Sequence, residues 1–245
     1  MAKGKDSFSD GSALLDIIRG TISGEIDELF DLSRLPRKML EIERKYRLTR
    51  DKEKVDVAIA GFLAKFGKFL ADGQAKINKF ITFAGVDQYF IVKKNQSEYV
   101  FRYRVGANRP PQLTVKFQMH KGSNLIRGEL NIDVKNVSPE IIRAFMSVIC
   151  SLGDSSQLFS IQQSGNIWIL EEPDANLIEV VVYRVDRVPE AQQVEGFVEI
   201  EPLNSKTAEQ VVATIDKYEK SLELTDLVCA ESIADIFRPK GGDDK

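Results

Sequence analysis

Two pairs of acidic residues, each separated by a single residue, stand near opposite ends of the chain: Glu41 with Glu43, and Glu199 with Glu201. On a β-strand, side chains two positions apart lie on one face, roughly 6.5–7 Å from each other. One hard cation such as Mg²⁺ can then draw on both carboxylates. Lys45 continues the first alternation. The two pairs are therefore candidate ligands for a divalent cation.

Basic residues recur at alternate positions in other segments of the chain. The candidate phosphate ligands are Lys45, Arg102, Arg104, Lys116, Arg127 and Arg184. Arginine outnumbers lysine among them, and the guanidinium group matches the geometry of phosphate oxygens. Acids share two of these faces, Glu129 with Arg127 and Asp186 with Arg184. Such mixed faces either meet water or line an enclosed site where a polyanion and a divalent cation supply the missing charges.

Composition argues against several other kinds of site. His120 is the only histidine, so a three-histidine zinc site is impossible, and the two distant cysteines make a mixed zinc site unexpected. Neither GxxxxGK[ST] nor GxGxxG occurs in the sequence. The net charge is −3, so affinity for an anion must come from a local cluster. Any chemistry would therefore fall to carboxylates, lysines and arginines.

The elements that would position these residues are strands and helices in mixed order. Alternation predicts strands over 39–49, 86–92, 98–105, 112–119, 125–134, 158–170, 177–188 and 196–202. Helical spacing predicts helices over 13–33, 52–80, 138–153, 205–224 and 226–237, the second of them interrupted near Asp72-Gly73. Short antiparallel strands with scattered helices indicate one α+β domain.

The chain is expected to divide into three parts. Residues 1–38 form an N-terminal extension, partly disordered and carrying an amphipathic helix; residues 39–237 form the main domain; residues 238–245 are a disordered tail. No apolar run approaches the roughly 18–20 residues that span a bilayer, and no signal peptide is evident. Cys150 and Cys229 are interpreted as reduced thiols. These features predict a cytoplasmic protein without membrane contact.

Five segments, in order, resemble the motifs of the CYTH superfamily, also called the triphosphate tunnel metalloenzymes. "EIERK" at 41–45 resembles its ExExK signature, "FRYR" its LRIR strand and "LTVKF" its LTLK strand. "RGELNID" is similar to its R-x-E-x-E strand, and "YRVDRVPE…GFVEIE" to its closing motif. The resemblance covers about residues 39–235. It implies a closed antiparallel eight-stranded β-barrel, or tunnel, with flanking helices and the charged faces inside.

The resemblance also implies a role for each candidate residue. Lys45 and Asp186 would be catalytic, and Asp186 would join the metal ligands or position the attacking water. The implied ligands of Mg²⁺ or Mn²⁺ are Glu41, Glu43, Glu129, Asp186, Glu199 and Glu201. The phosphates would be held by Lys45, Arg102, Arg104, Lys116 and Arg127.

Two positions depart from the family pattern. Asn131 stands where many members have a second acid, which would weaken metal binding. The segment "SIQQSGNIWIL" at 160–170 lacks the basic residues that usually bind phosphate on this strand. Arg184, on the face of Asp186, would compensate for that loss.

The function expected from the resemblance is metal-dependent hydrolysis of a triphosphate, whether inorganic, nucleoside or thiamine triphosphate. Two alternatives stay open. A class IV adenylate cyclase often carries His-Phe shortly before the signature, where this chain has Leu35-Pro36. A non-catalytic module that binds polyphosphate or a nucleotide would fit the missing basic residues. The expected partner is a small triphosphate compound and not a nucleic acid; a homodimer is left open.

Overall fold

The computed structural model of the protein describes residues 40–94, 97–117, 126–188, 193–204 and 207–239. The helix predicted for 13–33, the extension 1–38, His120 and the end of the tail lie outside the described residues.

Nine strands form one antiparallel sheet. They are β1 (Leu40–Ile42), β2 (Arg44–Thr49), β3 (Lys76–Lys94), β4 (Ser97–Ala107), β5 (Arg109–Phe117), β6 (Ile126–Asp133), β7 (Ser155–Glu171), β8 (Leu177–Val188) and β9 (Val194–Pro202). Their order across the sheet is β1-β6-β5-β4-β3-β7-β8-β9-β2. With the helices, this confirms the predicted α+β class and its antiparallel pairing.

The two ends of this sheet, β1 and β2, are neighbours in sequence and are separated only by Glu43. β1 pairs with β6, whereas β2 pairs with β9. If β1 and β2 are counted as the single strand predicted for 39–49, the sheet has eight strands. The strand order nevertheless has two ends, so closure into a barrel is not confirmed and stays a prediction.

Within the described residues, four α-helices accompany the sheet: α1 (Val55–Ala71), α2 (Pro139–Ser151), α3 (Ala208–Ser221) and the short α4 (Ile233–Phe237). The hydroxyl of Ser138 caps α2, and a capping box of Thr207 and Gln210 starts α3, so both helix starts follow from local sequence. No helix in the described part of the chain is long and apolar enough to cross a membrane.

Two predicted helices are shorter in the structure. The helix predicted for 52–80 ends at Ala71, because Gly73 adopts a left-handed φ of 72°, and β3 then begins at Lys76. The predicted helix 226–237 is reduced to a 3₁₀ turn at Thr225–Leu227 and to α4. The backbone between them bonds to β2 instead, through a donation from Cys229 N to the carbonyl oxygen of Lys45.

The sheet has one face covered by α1, α2 and α3, here called the helix face. Tyr46 of β2 and Val198 of β9 pack there against Phe66 of α1 and Ile215 of α3. Arg44, also on this face, forms ion pairs with Asp216 and Glu219 on α3. Farther along the sheet, strands β3 to β6 pack against α2. The apolar half of these strands is therefore buried under helices. The other face carries the charged residues together with a second apolar cluster, which includes Tyr89 of β3, Ile161 of β7, Tyr183 of β8 and Phe197 of β9.

Three strand glycines lie where neighbouring backbones come unusually close. A Cβ added to Gly106 of β4 would lie 2.3 Å from the carbonyl oxygen of Ala84, and one on Gly85 would lie 2.7 Å from that of Val105. A Cβ on Gly165 of β7 would lie 2.2 Å from the carbonyl oxygen of Val182. A glycine inside a strand commonly marks a tight bend. These positions therefore allow the sheet to curl.

Substituting Gly165 by alanine should lower the free energy of unfolding by about 1–3 kcal/mol, because the new methyl group must displace backbone atoms. Urea denaturation would measure the change. Gly67→Ala in α1 is the matched control, since nothing lies within 4 Å of its added Cβ, and it should stabilise by about 0.5–1 kcal/mol. Equal effects of the two substitutions would contradict a bend at Gly165.

Candidate active site

The strand register brings most of the predicted site residues onto one face of the sheet, opposite the helix face and here called the charged face. Lys45 of β2 is the Cα partner of Glu199 on β9, and Glu201 lies two residues farther along β9 on the same face. Glu43 precedes Lys45 by two residues and is also buried. The acids from the two ends of the chain therefore meet beside Lys45.

A set of basic residues lies on strands β4 to β6, several strands away from Glu199. Arg102 of β4 pairs in register with Thr114 of β5, and Lys116 pairs with Glu129 of β6. Arg127 is the Cα partner of Glu41 on β1. For Glu41, Arg127 and Glu129 the structure gives the backbone register only.

A buried carboxylate that the sequence did not single out lies beneath these arginines. Asp87, at the middle of β3, is 1% exposed. Arg104 donates to it twice, from Nε to Oδ1 and from Nη2 to Oδ2, each at 2.8 Å. The side chain of Gln163 donates from Nε2 to Asp87 Oδ2 at 3.2 Å and accepts from Arg104 at 3.3 Å. Arg102 Nε lies 4.0 Å from the same carboxylate.

Asn131, and Gln163 from the strand that lacks basic residues, both take part in this arrangement. Gln163 belongs to the strand that lacks basic residues, and it supports Asp87 and Arg104 as described. Asn131 accepts a hydrogen bond from the hydroxyl of Thr114 at 2.7 Å, and that hydroxyl accepts one from Arg102 at 3.1 Å. Neutral side chains at both positions therefore orient the arginines through hydrogen bonds.

Glu199 is an acid of the site whose pKa is raised. Burial raises the pKa of Glu199, and the negative charge of Glu43 raises it further. Lys45, a hydrogen bond from Tyr183 and the charge of Lys116 act in the opposite direction. Two buried carboxylates that repel each other favour a bound cation, because a cation between them removes the repulsion.

The sheet is strongly curved, because its two outermost strands, β1 and β2, are separated in sequence only by Glu43. Five strand-to-strand steps separate β5 from β9 in the sheet order. In a flat sheet these steps would place the two strands about 24 Å apart, too far for charges to act through salt water. Burial raises the pKa of Tyr89 on β3, and Lys116 is among the charges that lower it. The basic and acidic strands therefore face each other across the charged face.

Arg184 and Asp186 do not join this site, contrary to the prediction. They are the Cα partners of Gly196 and Val194, which alternate with Glu195, Phe197 and Glu199 on β9 and so belong to the helix face. There Arg184 binds Asp186 at 3.0 Å and Asp56 of α1 at 3.2 Å. The pair ties α1 to β8. Arg184 therefore does not supply the positive charge that β7 lacks.

The acid that β8 does present to the charged face is Glu179, the Cα partner of Glu201. Like charges directly opposite each other in a sheet are destabilising, so their pairing indicates a functional demand. The sequence pattern did not predict Glu179 as a site residue, because both faces of "LIEVVVYRVDRV" are largely apolar. Asp87 was not predicted either, because it is a single acid in "VDQYFIV".

The C-terminal segment lies across one end of the charged face. Phe237 of α4 packs edge-on against Phe197, with ring centroids 6.4 Å apart. Arg238 then reaches β4, where its guanidinium binds Glu98 at 2.5 Å and 3.1 Å. On the near side Arg47 binds Glu195 at 2.8 Å. The segment therefore spans from β9 to β4 and covers that end with apolar side chains.

The donor set fits a cation that shares its coordination with a phosphate. The described residues contain no group of three or more acids, histidines or cysteines arranged to hold a metal alone. Glu43 and Glu199 repel each other, as the raised pKa of Glu199 shows. Mg²⁺ is commonly held by one or two carboxylates together with substrate phosphates. The pair therefore suits such a cation.

Comparison with known proteins adds little to this geometry. No family model and no curated protein matches the chain. Among solved structures, an RNA triphosphatase from S. pombe aligns with 91% of this chain and 87% of its own, at 10% identity and a TM-score of 0.34. That similarity is too weak to carry an argument about this protein.

Glu199→Gln should stabilise the metal-free protein at neutral pH. Because the folded state raises the pKa of Glu199, it binds a proton more readily than the unfolded state, and stability falls as pH rises through the raised pKa. The stability of the glutamine variant should not decrease in this way as the pH rises. Urea denaturation in EDTA at about pH 5 and about pH 8 would measure it.

Glu209→Gln provides a control of opposite sign. Hydrogen bonds with its own backbone amide and with Thr207 lower the pKa of Glu209, so its carboxylate stabilises the fold above its unfolded pKa. This variant should be less stable than the wild type at both pH values, because it lacks that carboxylate. The same pH profile in the wild type and in Glu199→Gln would contradict the assignment.

Proposed function

We propose that this protein is a divalent-metal-dependent hydrolase of triphosphate substrates. The observation that carries the proposal is the convergence of buried charges of both signs on one curved face. Lys45 is 1% exposed and Glu43 is 5% exposed, and both act beside Glu199 with Lys116 on the far side. Removing such charges from water costs several kcal/mol each unless partners compensate. A polyanion with its cation would add to the partners that these charges have within the protein.

The proposed site is a tunnel. Segment 40–49 pairs through its first part with β6 and through its second part with β9, which are the strands next to the two ends of the sheet. A sheet curved enough to bring Lys116 near Glu199 can be joined by one such segment. Closure would exclude bulk water and strengthen every electrostatic contact inside.

Each side of the tunnel has its own role in this proposal. Lys45, Arg102, Arg104, Lys116 and Arg127 bind and orient the phosphates, and Glu41, Glu43, Glu129, Glu199 and Glu201 hold the cation. When bound, Mg²⁺ or Mn²⁺ neutralises phosphoryl oxygens and makes the phosphorus a better electrophile. Lys45 stands between the two sets, beside Glu199, and is suited to stabilise charge that develops on the transferred phosphoryl group. Arg184 and Asp186 are left out, since they lie on the helix face.

A second candidate is a binding module without turnover. Its support is the engagement of Arg104 by Asp87 and Gln163, which reduces the net positive charge that the arginines offer to a polyanion. Both candidates bind a small triphosphate compound. We also propose a cytoplasmic location, because Cys150 and Cys229 are free thiols, as is usual in a reducing compartment.

Orthophosphate release from inorganic, nucleoside and thiamine triphosphates with Mg²⁺ or Mn²⁺ tests the proposal. Lys45→Ala and Glu199→Gln should each lower kcat about 10²–10³-fold, because each removes a charge placed at the reacting phosphate. Asp186→Asn is the control and should keep wild-type turnover. Binding without turnover across the panel would favour the module, and cyclic AMP formed from ATP would favour a cyclase. A large loss of activity in Asp186→Asn would contradict the assignment of faces.

A further inference from the structure

A buried hydrogen bond joins Tyr183 of β8 to Glu199 of β9. The phenol donates from Oη to Glu199 Oε1 at 2.5 Å. Tyr183 is the Cα partner of Phe197, so it approaches Glu199 diagonally along the same face. At neutral pH a phenol carries its proton and can only donate to a carboxylate. One oxygen of Glu199 therefore has a fixed partner in the protein.

The ring of Tyr183 is itself held in place. It stacks on Phe197 with ring centroids 5.5 Å apart and an interplanar angle of 28°. Phe197 in turn contacts Phe237 of α4, and the Arg47 guanidinium lies 5.9 Å from its centroid. A phenol mounted on such a stack has little freedom to move. Its hydroxyl can therefore set the orientation of a flexible glutamate side chain.

We propose that Tyr183 is a positioning residue that holds the Glu199 carboxylate by Oε1 and turns Oε2 toward the cation of the proposed site. This inference rests on the proposed function, because it assigns Glu199 to the metal. Partners of this kind orient the carboxylates that bind metals, and losing one typically weakens metal affinity or activity by 10–100-fold.

The chain contains a matched hydrogen bond on the opposite face. Tyr46 is fully buried, and its phenol donates to Glu219 Oε2 at 3.1 Å, but Tyr46 points into the helix face beside α3. Tyr46→Phe and Tyr183→Phe therefore remove the same chemical group from the same type of buried carboxylate. Only Tyr183 contacts a proposed metal ligand.

The test is Mn²⁺ binding to the purified full chain, measured by the loss of the free-ion electron paramagnetic resonance signal, without substrate. Tyr183→Phe should raise the Kd for Mn²⁺ about 10–100-fold, whereas Tyr46→Phe should keep the wild-type value. Thermal melts of both variants would separate loss of stability from loss of affinity. In turnover, Tyr183→Phe should raise the Mn²⁺ concentration needed for half-maximal rate and leave the KM for triphosphate at saturating Mn²⁺ unchanged.

A double-mutant cycle with Glu199→Asp gives a second test of the same hydrogen bond. Glu199→Asp shortens the side chain by one methylene and withdraws the carboxylate from the phenol, so it should weaken Mn²⁺ binding by itself. Adding Tyr183→Phe to it should weaken binding no further, because the hydrogen bond is already lost.

The outcomes separate this inference from the proposed function. Wild-type Kd values in Tyr183→Phe, with Mn²⁺ bound by the wild type and lost in Glu199→Gln, would overturn the positioning role alone. A wild type that binds no Mn²⁺ at millimolar concentration and releases no orthophosphate from any triphosphate with Mn²⁺ would overturn both proposals. Equal weakening in Tyr46→Phe and Tyr183→Phe would show an effect of stability only and would also overturn the positioning role.

Discussion

Charges of both signs buried on one face of a β-sheet are the constraint on which the rest of this structure depends. Lys45, Glu43 and Asp87 are almost completely withdrawn from water. A charge in that position is tolerated only when opposite charges and hydrogen bonds lie close by. The partners include Arg104 for Asp87, and Tyr183 and Lys45 for Glu199, each from a strand paired directly with that of the acid. The register of neighbouring strands is what brings these residues within reach of each other.

The curvature of the sheet depends on residues that carry no charge. Gly85, Gly106 and Gly165 let neighbouring backbones approach where a side chain would collide with them. The helices on the other face bury the apolar half of each strand, and the ion pairs from Arg184 to Asp56 and from Arg44 to α3 fix two of those helices. Apolar packing therefore offsets the free-energy cost of burying the charges, as is common for functional sites.

The sequence predicted the correct face wherever one half of a strand was clearly apolar. In "GFVEIE" the apolar residues Val198 and Ile200 belong to the helix face, as the alternation predicted, so Glu199 and Glu201 lie on the other face. In β8 that signal is missing, because valines occupy both faces. Arg184 and Asp186 then looked like the charged half, and only pairing with β9 shows that Glu179 and Tyr183 hold that position.

By itself, the sequence determined the strand alternation, the antiparallel α+β class and the residue types that could bind a cation and phosphates, because these depend on local periodicity and composition. Only the tertiary structure decided which charges meet. The contacts of Asp87 with Gln163 and of Glu199 with Tyr183 join residues whose relation is set by the register of paired strands. Register is a property of two strands at once, and curvature is a property of the whole sheet. No single segment of the sequence contains either one.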